Sequence, residues 1–177
     1  GCFAGLDHHF AGLIKEIVYD LARALLKFGP EESVSEVLAL VSEGLRRDPT
    51  HRYLLSTQIE AYRRAGRFEA AIQAAEDAVE RVPDDYVLWN QLILAYLAEA
   101  KARKERLKDA FDSAIYAAQA FPANERTRDL LTEVSNQYRE HIHSDLGTRM
   151  PGGIARTLAP ILPQLTPAEA AFAVAND

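Results

Sequence analysis

A single cysteine, Cys2, stands in the 177 residues, so neither a disulfide framework nor a cysteine-based zinc cluster can form within the chain. Basic charge is not in excess either. Asp and Glu number 26 against 20 Lys and Arg, a formal net charge of −6, and this argues against nucleic-acid binding, which needs a basic footprint. No apolar run approaches the roughly 20 residues that span a bilayer; the most apolar stretch, Leu13 to Phe28, carries a charge every few residues. Strand-like alternation and glycine hairpin signals are missing. So are a nucleophile elbow, a phosphate-binding glycine loop and a paired-histidine motif. His8 and His9 are adjacent, and His141 and His143 are two apart, spacings that send each pair to different sides of a helix. Glu140 and His143 share a face, but two ligands do not close a metal site. These absences predict a non-catalytic protein with no metal and no cofactor.

What is present is helix. Phe10, Leu13, Ile14, Ile17, Val18, Leu21, Leu25 and Phe28 recur at three- and four-residue spacing, which predicts a helix over 7–28 with one apolar stripe. Gly29-Pro30 ends it, glycine by a left-handed cap and proline by lacking a donor. A second helix is expected over 31–47, closed by Asp48-Pro49, a third over 51–65 and a fourth over 68–81 after a turn at Gly66. Asp84 and Asp85 are placed to cap a helix over 86–102. The next ends near Phe121, and Asn124 is placed to cap a final helix over 125–144 striped by Leu130, Leu131, Val134, Tyr138 and Ile142. The basic run from Lys101 to Lys108 reads as a solvated inter-helix loop, with an acidic partner or a lipid headgroup as the sharper alternative.

Two of these stretches repeat each other. Ala71, Ala75, Ala78 and Pro83 match Ala110, Ala114, Ala117 and Pro122 at identical spacing, and upstream Leu55 and Tyr62 match Trp89 and Tyr96. The pattern resembles the tetratricopeptide repeat, a helix-turn-helix unit of about 34 residues. The resemblance implies an all-α fold, a short right-handed solenoid of stacked helix pairs in a domain over 7–146. Its units are a degenerate one over 7–51, full ones over 52–85 and 86–124, and a capping helix over 125–144. Small alanines let paired helices approach, and a single unit cannot bury its own apolar face, so units stack. The second full unit carries five extra residues around Ala100 to Lys108, which predicts longer helices or a wider turn.

The resemblance further implies a non-catalytic protein–protein interaction scaffold, with partner proteins bound in a concave groove lined by the first helix of each pair. By register the groove residues are Tyr53, Thr57, Glu60 and Arg64, then Asn90, Gln91, Leu94 and Leu97. Arg126, Asp129 and Glu133 follow from the capping helix. One subfamily clamps a chaperone's C-terminal carboxylate with Lys, Asn and Arg. The matching positions here are Ser56, Glu60, Gln91, Arg126 and Leu130, of which Arg126 alone suits that role. A proline-rich extension over 147–177 carries Leu158, Ile161, Leu162 and Leu165, too apolar for an idle tail. Its Thr166-Pro167-Ala168-Glu169 reads as a capping box before a short helix, so the extension is a second candidate partner surface.

Gly1-Cys2, in a segment over 1–6, resembles the junction at which bacterial lipoproteins are acylated. It implies membrane anchoring through Cys2, by chains worth about 0.8 kcal/mol per buried CH₂, and a periplasmic or cell-envelope location. An intact mass of the native protein with Cys2 unmodified would contradict it. The alternative is a cytoplasmic regulatory or sensor module cut from a longer polypeptide.

Overall fold

The computed structural model describes residues 16–27, 29 and 33–149. Cys2, the histidine pair at 8 and 9, and the proline-rich extension from 150 lie outside them, as does the side chain of His143. Seven helices, and no strand, occur among the described residues: α1 (16–27), α2 (Val34–Arg47), α3 (Arg52–Arg64), α4 (Phe68–Arg81), α5 (Tyr86–Ala100), α6 (Arg106–Ala120) and α7 (Glu125–Arg149). None of them is long and apolar enough to cross a membrane.

Capping chemistry sets the boundaries. Asp85 Oδ1 accepts from the backbone N–H of Val87 at 2.8 Å and of Leu88 at 3.4 Å; Asn124 Oδ1 accepts from Thr127 N at 2.9 Å. Both satisfy donors that a helix start leaves orphaned. His51 does the same for α3, its Nδ1 accepting from Leu54 N at 3.3 Å, a role not evident in the sequence. Arg52 Nη1 also reaches Asp85 Oδ2 at 3.3 Å, which ties the start of α3 to the start of α5. At the other end of α3, Gly66 N donates to Arg63 O at 3.1 Å and Arg67 N to Tyr62 O at 3.0 Å. This is the doubly bonded glycine cap, and Gly66 holds the left-handed φ of +67° that it requires. Gly29 does not share that conformation. It continues the helical bonding to Leu25 O at 2.9 Å, so its expected left-handed cap is corrected.

The repeat extends further back than the alanines indicate. Val37, Val41, Gly44 and Pro49 stand 34 residues before Ala71, Ala75, Ala78 and Pro83, and the two valines, like the alanines, are fully buried. Gly44, Ala78 and Ala117 each accept the closing backbone bond of their helix, from Asp48, Val82 and Phe121. A Cβ at Gly44 would lie 2.6 Å from Leu54 Cδ1, so glycine at this register lets α2 approach α3 still more closely. The five extra residues of the second full unit are shared out: α5 has 15 residues against 13 in α3, α6 has 15 against 14 in α4, and the intervening turn takes the rest.

Packing follows from these contacts. α5 buries residues on nearly every side, among them Leu88, Leu92, Ile93, Tyr96 and Ala100, and it touches α3, α4, α6 and α7. The main core runs from Leu55 through the alanines of α4 and α6 to Leu130, Val134 and Tyr138, and a smaller one joins α1 and α2 to Leu54 and Ala61. On α1 the buried positions are Ala22 and Leu26, while Ile17 and Leu21, expected on the inward stripe, are exposed. α7 runs to Arg149, past the expected end near 144.

Candidate functional site

Contacts that skip one element run along the odd-numbered helices, from α3 to α5 and from α5 to α7. The even-numbered helices do not meet one another to that extent, so the odd helices form the tighter, inner side of the stack. Here α3, α5 and α7, with the first residue of α4, enclose a hollow of about 440 Å³. Its apolar wall is Phe68, Leu94, Leu97 and Ala98; its charged groups are Arg63, Arg64, Lys101 and Glu133, and Gln137 stands beside Glu133. Gln137 Nε2 donates to Glu133 Oε1 at 3.5 Å.

The hollow brings together Arg64, Leu94, Leu97 and Glu133 of the residues named by register. The others are placed differently. Thr57 is buried, its hydroxyl donating to Tyr53 O at 2.7 Å. Asn90 is buried too, with Thr127 Oγ1 3.0 Å from its Oδ1, so it joins α5 to α7 instead of facing a ligand. Tyr53 stacks on Tyr19 with ring centroids 5.2 Å apart. Glu60 pairs with Arg23 at 3.7 Å and with Arg64 at 3.2 Å, and Arg64 Nη1 also donates to Leu26 O. These three residues of α3 therefore hold α1 in place. Gln91 is half-buried, with Oε1 unpartnered, and Arg126 and Asp129 are exposed on α7; none of them lines the hollow. Arg63, Phe68, Ala98, Lys101 and Gln137 were not named by register. Ala98 and Lys101 stand four and seven residues after Leu94, on the same helical stripe, which is the pattern that could have found them.

Three of the five cations of the basic run, Arg103, Arg106 and Lys108, are paired. Arg103 Nη1 lies 3.1 Å from Glu99 Oε1, Arg106 Nε lies 3.2 Å from Glu99 Oε2, and Arg106 Nη1 lies 3.0 Å from Asp109 Oδ2. Lys108 pairs with Asp112 at 2.8 Å. Glu99 is nine-tenths buried or more, and Arg106 is close to its Oε2 but not aligned to donate a hydrogen bond. Burial, and then Glu69, raise the Glu99 carboxyl above its ordinary range, against the pull of Arg106 and Arg103. Nearby, Tyr96 Oη donates to Glu76 Oε1 at 2.6 Å; burial first, then that bond, raises its phenol.

The Glu99 shift has a defined sign. The folded state keeps the proton where the unfolded chain has lost it, so stability falls as pH rises from about 4.5 through the folded value. Glu99→Gln removes that dependence. Urea unfolding over a pH series is expected to show the variant gaining on the parent as pH rises from about 4.5 toward neutrality; a constant difference would contradict it.

Residues 54–95 match the sequence profile of the tetratricopeptide repeat. Over those residues the chain carries the tetratricopeptide pattern. No curated protein matches the sequence. Among solved structures, the Sgt2 tetratricopeptide domain from Aspergillus fumigatus is similar over 77% of this chain and 85% of its own, with a TM-score of 0.62 and 20% identity. The first such domain of human RPAP3 is similar over 70% of this chain and 91% of its own, with a TM-score of 0.59 and 18% identity. The first domain of Spaghetti (RPAP3), bound to the HSP90 peptide SRMEEVD, is similar over 69% and 90%, with a TM-score of 0.56 and 19% identity. At these identities the likeness is one of fold. Within the tetratricopeptide register, the positions matching the chaperone-tail clamp hold a Glu60 paired with two arginines and a fully buried Leu130.

Proposed function

We propose that this chain is a non-catalytic adaptor that binds a peptide segment of a partner protein on the inner face of its repeats and so helps assemble a larger protein complex. The observation that carries this reading is the hollow between α3, α5 and α7, where the half-buried Leu94 and Phe68 line an open surface over the buried Leu97. A partly apolar groove with a few convergent polar groups is the form a peptide site takes. Similar domains of known structure include one bound to an HSP90 peptide, which supports the use of this fold for peptide capture. The ligand here is not a chaperone tail, because the clamp positions carry the wrong groups.

The test is a selection from a random-peptide phage library on the intact chain, followed by fluorescence anisotropy with the selected peptides. Leu94→Ala and Ala98→Glu each alter the wall of the hollow. Both are expected to weaken binding about tenfold or more, since burying a leucine side chain is worth about 1.5–3 kcal/mol. The melting temperature serves as the control for folding. Affinity unchanged in both folded variants would move the site to another face.

A further inference from the structure

Arg63 is the unusual group in the hollow. It is half-buried, and burial lowers its guanidinium pKa, with Glu60 opposing and Arg64 adding to the shift. Glu60, the acid that opposes the shift, is divided between Arg23 and Arg64. Among the described residues Arg63 has no ion pair and no hydrogen-bonded acceptor, and Lys101, across the hollow in the turn after α5, has none either. A guanidinium carries five donors, and a partly desolvated charge without a partner is unfavourable until an anion arrives. The lining thus inverts the sign of the chain: net −6 overall, but here Arg63 and Lys101 stand against the single lining acid Glu133, with Arg64 paired to Glu60.

We infer that the groove selects a peptide bearing an acidic side chain next to an apolar one, the carboxylate recognised by Arg63 and Lys101 and the apolar residue by Leu94 and Leu97. Glu133, on the α7 side, disfavours a second acid there and sets the direction of the peptide. This site is separate from the chaperone-tail clamp, since none of Ser56, Glu60, Gln91, Arg126 and Leu130 lines the hollow. The inference rests on the adaptor reading and adds the chemistry of its ligand.

The probe is the same phage-displayed random-peptide library on the intact chain, with counter-selection on the Ala98→Glu variant to isolate groove binders. Those peptides are expected to be enriched in Asp or Glu beside Leu, Ile, Val or Phe. Their Kd should rise about tenfold in Arg63→Gln, in keeping with a hydrogen bond to a charged group, and less in the exposed Lys101→Gln. Affinity should also fall with added salt, as screening requires. If Arg63→Gln melts early, Lys101→Gln and the salt series decide. Groove binders that are neutral or basic, or that ignore both variants and salt, would overturn the acidic-ligand inference and leave the adaptor reading standing. A library yielding no peptide sensitive to Ala98→Glu would overturn both. Self-association lost in Arg63→Gln, or peptide affinity gained on removing residues 150–177, would put a second copy or the chain's own extension in the groove and overturn the inference.

Discussion

Phe111→Ala is expected to lower the free energy of unfolding by about 4 kcal/mol. Phe111 is among the largest fully buried side chains, and its ring lies 5.0 Å, centroid to centroid, from that of Tyr138. Truncation removes the buried ring, leaves a cavity that rigid helices cannot refill, and strips α7 of its aromatic contact with α6. Tyr116→Ala is the control. That ring is also stacked, 4.5 Å from Trp89, but it is 52% exposed, so its loss should amount to about 1 kcal/mol. Urea unfolding of the two variants measures the difference; equal losses would show that α7 is not anchored through Phe111.

Ala75→Leu should destabilise by about 3 kcal/mol for the opposite reason. Ala75 has no exposed surface and lies in the main core on α4. Three additional heavy atoms have no volume to occupy, so α4 must move away from its neighbours, an overpacking penalty at the upper end of the usual range. Ala120→Leu adds the same atoms at the exposed end of α6 and should change stability by less than about 0.5 kcal/mol. Thermal or urea unfolding of both variants checks the comparison. If Ala75→Leu behaved like Ala120→Leu, small residues would not be what sets the helix spacing.

Such side chains explain how much of the fold was legible in advance. The range of α4, Phe68–Arg81, is the one expected, because a glycine turn fixes one end and the turn at Pro83 the other. The first unit looked degenerate because its small-residue register reads Val37, Val41, Gly44. Only the packing shows that these side chains do the work of the alanines, with Gly44 giving the space that the valines take up. The site was less legible. Register shows which helices face inward, but not that α1 occupies Tyr53, Glu60 and Arg64, nor that Asn90 turns toward Thr127. Those are long-range contacts, set by where α1 and α7 dock, and a local pattern carries no information on docking. Lys101 stands exposed in the turn after α5, where the run of basic residues places it. Arg103 and Arg106 answer to Glu99, while Lys101 closes the stripe of Leu94, Leu97 and Ala98.

The most direct test of the central claim, that the inner face of the odd-numbered helices is the binding surface, is chemical-shift mapping of a library-selected peptide on the isotope-labelled chain. The account predicts that the largest perturbations fall on Arg63, Leu94, Leu97, Ala98, Lys101 and Gln137. A map centred on Ser42, Gln58 and Gln73, in the opening between α2, α3 and α4, would contradict it.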